Sequence, residues 1–120
     1  MSADYILGGY AQARDLVSGA LDDIEDTTPV LLIPAPTGEQ EELYITSLLV
    51  TNSSDDVATV VKLTDGLSGD TKWRGNAKAE GGGFAMPFVV PLIFSQNTAI
   101  YVECETEGAK VQVSACGFKA

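Results

Sequence analysis

The chain has 120 residues, 45% of them hydrophobic, with a net charge of −10 and a pI near 4.1. That length suits one domain with a core of its own, and that charge opposes phosphate backbones, so no nucleic-acid partner is expected. Histidine is absent, which removes the commonest general base and the commonest transition-metal ligand.

The charge is uneven. Residues 1–61 carry eleven acids against Arg14 alone, whereas residues 62–120 carry six acids and six bases. The first residues lack the basic start of a secretory signal. The longest apolar run, residues 84–94, is interrupted by Pro87 and Pro91 and is too short to cross a bilayer, so no membrane partner is expected.

Residues 4–9 read as a short extended piece ended by glycine. From Ala13 the apolar positions Ala13, Leu16, Val17, Ala20, Leu21 and Ile24 follow a helical spacing. Gly19 within that stripe and the acids Asp22, Asp23, Glu25 and Asp26 at its C-terminal end both work against a helix. The segment is therefore a short helix or an arm that orders against a neighbour. Thr28-Pro29 resets the chain, which divides it into an N-terminal attachment segment, 1–27, and a folded domain, 28–120.

Within that domain residues 30–33 form a first core strand, ended by Pro34 and Pro36. Residues 43–52 form the second. The polar run 52–56 is a turn, and the alternation of Val57, Thr59, Val61 and Leu63 marks the returning strand. A short strand around Trp73 follows, then a glycine-rich loop over 75–83. Residues 84–94 form a strand that the two prolines place at an edge or a bulge.

Residues 100–104 and 109–115 alternate in register. If Thr106 opposes Ala109, then Ile100, Val102 and Cys104 share one face with Val111, Val113 and Ala115. This predicts a closing hairpin. In it Cys104 faces the core and Cys116 faces away, too far apart for the roughly 7 Å that a disulfide spans, so both are expected to be free. About seven short strands punctuated by turns make an all-β sandwich.

Chemistry is hard to place on this frame. The serines and cysteines have no imidazole to activate them, and two cysteines do not close a zinc site. Asp65 to Asp70 lacks the ligand spacing of a calcium loop. Gly81-Gly82-Gly83 opens onto Phe84 and not onto a helix, unlike a phosphate loop. No catalytic residue, metal or cofactor is expected. Trp73, Tyr44 and Tyr101 are the candidates for an aromatic platform that stacks on sugars.

Several landmarks carry a resemblance: Ser47-Leu48-Leu49-Val50-Thr51-Asn52, Lys62-Leu63-Thr64-Asp65-Gly66, Trp73-Arg74-Gly75, Gly81-Gly82-Gly83-Phe84, Pro91-Leu92, and the alternating run from Asn97 to Phe118. Over about residues 45–120 the chain resembles the small jelly-roll-like virion proteins of tailed bacteriophages, of the capsid decoration (cement) or fibre type. The resemblance implies a jelly-roll-like antiparallel sandwich, assembly as a homotrimer, and a place on the virion after synthesis in a host cytoplasm. It also implies a major capsid protein or another virion protein as partner. In that setting Leu16, Val17, Leu21 and Ile24, with Asp22 and Asp23, are the candidate partner-binding residues of the N-terminal segment. A carbohydrate-binding adhesin or a head–tail component is the alternative.

Overall fold

In the computed structural model, which describes residues 15–120, the inward side of nearly every strand is set by two-residue alternation of apolar side chains. Eight strands form: β1 (Leu16–Ile24), β2 (Val30–Ile33), β3 (Leu43–Asn52), β4 (Thr59–Asp65), β5 (Thr71–Ala77), β6 (Gly82–Ile93), β7 (Ile100–Cys104) and β8 (Val111–Lys119). They pair antiparallel into two four-stranded sheets, sheet A in the order β1-β8-β3-β6 and sheet B in the order β2-β7-β4-β5. Strand 1 thus lies beside 8, 2 beside 7, 3 beside 6 and 4 beside 5. This nested pairing is one long antiparallel ribbon rolled up on itself, the jelly roll.

Between the sheets lies a dry core that includes Ile45, Val50, Val61, Leu63, Phe94, Ile100, Val102 and Val111, each at most 1% exposed. Full burial of one such side chain contributes about 1.5–3 kcal/mol.

Residues 16–24 do not form a helix, and the expected division at residue 27 runs through the sandwich. Leu16–Ile24 is strand β1, paired along its length with β8. Helical spacing in six apolar residues proved weaker than the open edge of β8, which β1 covers. Val17 and Leu21 face inward and half-buried, while Leu16 points out. A bulge at Asp22-Asp23, with Asp23 at φ 51°, restores the inward side for Ile24, which joins the core. The expected extended stretch 4–9 and the start of the stripe at Ala13 lie outside the described residues.

The closing hairpin is also corrected. β7 pairs with β2 and β4 in sheet B, and β8 pairs with β1 and β3 in sheet A. The inward residues named for the hairpin are all buried, but they meet across the core and not across a ladder. Residues 105–110 cross between the sheets, and this arch is held by Gly108 N–H donating to the Glu25 carbonyl at 2.9 Å.

Two strands end differently from expectation. β5 continues to Ala77, so the expected 75–83 loop shrinks to residues 78–81. In β6 the two prolines do mark an irregular edge: Pro87 pairs with Ser47 and Leu92 with Ile45, leaving residues 88–91 opposite Thr46 alone.

Gly19 shows why β1 sits where it does. A Cβ there would run into the Leu32 carbonyl oxygen and the Ile33 side chain, where the two sheets approach at their β1–β2 edge. In a helix Gly19→Ala would stabilise the protein by about 1 kcal/mol. In this strand the same substitution is expected to destabilise it by about 1–3 kcal/mol through overpacking. Urea denaturation of the variant checks the sign.

Asn52 ends β3 wholly buried. Its Nδ2 donates to the carbonyls of Val57 (2.8 Å) and Ala77 (3.1 Å), and its Oδ1 accepts from the N–H groups of Ser54 and Lys110, both at 3.1 Å. Asn52→Ala is expected to cost about 2–4 kcal/mol, because four buried backbone groups lose their partner. Asn52→Asp, which keeps the shape but replaces two donors with acceptors facing carbonyls, is expected to destabilise as well. Thermal or denaturant unfolding of both variants measures this.

Candidate functional site

The sandwich presents two outer sheet faces, and their side chains differ in kind. On sheet B, register places Lys62 beside Glu103 on one side and Arg74 on the other. Lys62 Nζ lies 3.9 Å from Glu103 and 3.8 Å from Glu105, Arg74 bonds Glu105 at 3.1 Å, and Lys72 lies 4.0 Å from Asp65. Such exposed pairs contribute little stability each, but they mark a face that is charged, internally neutralised and wet.

Sheet A is the opposite. One row across all four strands reads Leu16, Phe118, Tyr44, Ile93. The Tyr44 and Phe118 rings stack with centroids 4.9 Å apart, while Leu16 and Ile93 stay 68% and 47% exposed. The next row is Ser18, Cys116, Ser47, Pro87, and the one after it Ala20, Ser114, Leu49, Ala85. None of these twelve side chains is charged, in a chain of net charge −10. Acids reappear at the two ends: Glu42 accepts from the Tyr44 hydroxyl at 2.9 Å, which holds the phenol above its usual pKa, and Asp23 accepts from Gln112 at 3.0 Å.

Beside this face residues 88–91 of β6, four against one in β3, bulge from the sheet edge. Phe88 packs inward, but Val89 is 98% and Val90 78% exposed. Two adjacent valines so exposed form an apolar spur, locally stiffened by Pro87 and Pro91. A shallow depression on the face, lined by Ser47, Leu49, Ala85, Pro87, Ser114 and Cys116, lies next to it.

The sequence-predicted residues fall in several places. Leu16 belongs to the uncharged face, Val17 and Leu21 face the core, and Ile24 is inside it. Asp22 and Asp23 lie at the bulge at the far end of β1. The six residues therefore do not make one stripe. Nor do the three aromatics make a platform. Tyr44 lies on the outer face of sheet A, Tyr101 on the outer face of sheet B beside Leu31 and Thr64, and Trp73 points inward with its ring edge-on to Phe84 at 5.8 Å. Leu49, Phe118, Ile93, Val89 and Val90 are the residues sequence reasoning missed. The absence of charge at outward positions of 112–118, against Glu103 and Glu105 in the preceding strand, was the available signal.

Asp65, at the head of the 65–70 turn, has structural partners. Asp65 accepts from both the N–H and the hydroxyl of Ser95 and approaches Lys72. Among the described residues no three His, Cys, Asp or Glu side chains gather as a metal site, and no helix is long and apolar enough to cross a membrane.

Cys104 and Cys116 are both free, the first buried and the second exposed. Burial, and then the nearby Asp26 and Glu103 carboxylates, pushes the Cys104 thiol up to about 11. Alkylation at pH 8 is expected to spare Cys104 in the native protein and to modify Cys116 in the folded monomer, and alkylation of the unfolded protein to modify both; mass spectrometry counts them. Because the folded state holds the Cys104 proton more tightly, its contribution to stability is complete below the unfolded thiol's pKa and is lost as pH rises from about 9 towards 11.

No family model and no curated protein sequence matches this chain.

Proposed function

We propose that the protein is a structural component of a tailed-phage virion, a capsid decoration protein that binds the outer head surface and stabilises the shell by association alone. The observation that carries this reading is the contrast between the two sheet faces: one charged and solvated, the other uncharged, with Leu16, Leu49, Ile93, Val89 and Val90 exposed. A surface of this kind is made for lasting contact with protein. The jelly roll is a common fold among viral capsid proteins. It also serves lectins, but Tyr44 and Tyr101 lie on opposite outer faces and Trp73 points inward, which argues against a sugar platform.

In this role no residue acts as a catalyst. Each copy adds contact area across subunit boundaries of the shell, with a major capsid protein as partner and the protein itself assembled as a homotrimer. The acidic N-terminal half favours a basic strip on the shell and makes encounter sensitive to salt.

Antibody labelling and cryo-electron microscopy of virions are expected to place the protein on the head exterior, and particles stripped of it are expected to release DNA at lower temperature. Label confined to the tail or fibres would favour the adhesin reading, and particles without label would end both.

A further inference from the structure

Among the described residues nothing packs over the uncharged outer face of sheet A or the Val89–Val90 spur beside it. We infer that they form the contact between copies of this chain, the spur of one copy seating against the small-residue trough of the next.

Charge selects a second copy over other occupants. Two chains of net charge −10 repel each other wherever their acids meet. On this face Glu42 lies at one end and Asp23 at the other, with three uncharged rows between them. A copy brought against those rows meets no like charge. A basic partner, drawn by the acidity of the chain, would find no acid there to pair with. The outer face of sheet B offers the reverse, because Lys62, Arg74 and Lys72 already have carboxylate neighbours.

Shape points the same way. The Leu16–Phe118–Tyr44–Ile93 row is a ridge of large side chains, and the two rows beside it are mostly serine, alanine and cysteine, a trough. Large and small elements occupy different places, so the complement of one copy's spur is another copy's trough. A contact of that kind is head-to-tail, and it closes into a ring when the rotation permits. The face, ridge and trough together, is wide enough to matter. Four strands at about 4.8 Å and three outward residues at about 6.8 Å give roughly 400 Å² on each partner, about 800 Å² in all. That total approaches the roughly 1,000 Å² that a specific interface needs.

Cys116 lies in the trough and Cys104 in the core, so the chain contains its own reporter and its own folding control. This inference rests on the self-association in the proposed function but not on a virion location. The experiment is sedimentation of the full chain across concentration, with Cys116 alkylation rates measured on the same samples. An oligomer is expected, with Cys116 protected in step with assembly. Leu49→Asp and Val89→Asp, both at exposed positions, are expected to lose the oligomer and restore Cys116 reactivity while Cys104 stays unreactive, showing that the fold is intact. Asn76→Asp, on the outer face of sheet B, is expected to assemble normally. An oligomer whose Cys116 reacts at the monomer's rate, or one that survives both variants, would overturn this face while leaving self-association in place. A monomer at every concentration would overturn both, and particle labelling would still test the virion reading separately.

Discussion

The side chain of Asn52 ties the end of β3 to the following turn, to the end of β5 in the other sheet and to the β7–β8 arch. It ends β3 in sheet A and uses both its amide protons on carbonyls, one in the following turn (Val57) and one at the end of β5 in sheet B (Ala77). Its oxygen receives the N–H of Ser54 and the N–H of Lys110, the residue that leads into β8. A buried amide is costly unless its hydrogen-bonding capacity is met, and this one meets it only when both sheets and the β7–β8 arch are in place. Asn97 acts similarly beyond the other end of β3. With φ at 52°, it donates from its side chain to the carbonyls of Pro36 and Gly38 and from its N–H to that of Glu41. The apolar core supplies the drive for burial, but these two asparagines close the ends of the roll.

Three irregularities in sheet A shape what the core leaves outside. Thr46 is an extra residue in β3 opposite β8, residues 88–91 of β6 stand opposite Thr46 alone, and Asp22-Asp23 interrupt β1. Each keeps an apolar side chain on the inner side after a slip that would otherwise turn it outward. At the β3 bulge the backbones of β3 and β8 come so close that a Cβ on Gly117 would strike the Tyr44 carbonyl oxygen. The same slip raises the Val89–Val90 spur. Packing requirements inside the sandwich and apolar exposure at its edge thus have one origin.

The two outer faces of the sandwich carry charge in opposite ways. On sheet B the bases Lys62, Lys72 and Arg74 each lie 3.1–4.0 Å from a carboxylate. Sheet A keeps its acids at the ends of the face and its apolar and small residues across the middle. A surface that excludes charge in so acidic a chain avoids like-charge repulsion and lowers the desolvation cost of docking.

Strand positions and inward sides followed from the sequence, since two-residue alternation marks which side chains leave water: residues 30–33 and 43–52 form the strands they were expected to form, and Cys104 faces the core as Cys116 faces away. The prolines at 87 and 91 likewise marked an irregular edge before any fold was known. Partnership did not follow. Ile100, Val102 and Cys104 alternate identically whether Val111, Val113 and Ala115 lie beside them or across a core, and only the crossing of residues 105–110 between sheets distinguishes the two. Residues 16–24 could read as a helix because apolar spacing in a short segment is ambiguous, and the open edge of β8 made the choice. The uncharged face was hidden for the same reason. Its residues come from β1, β3, β6 and β8, distant in sequence, and they become one surface only when the ribbon rolls up and register aligns them.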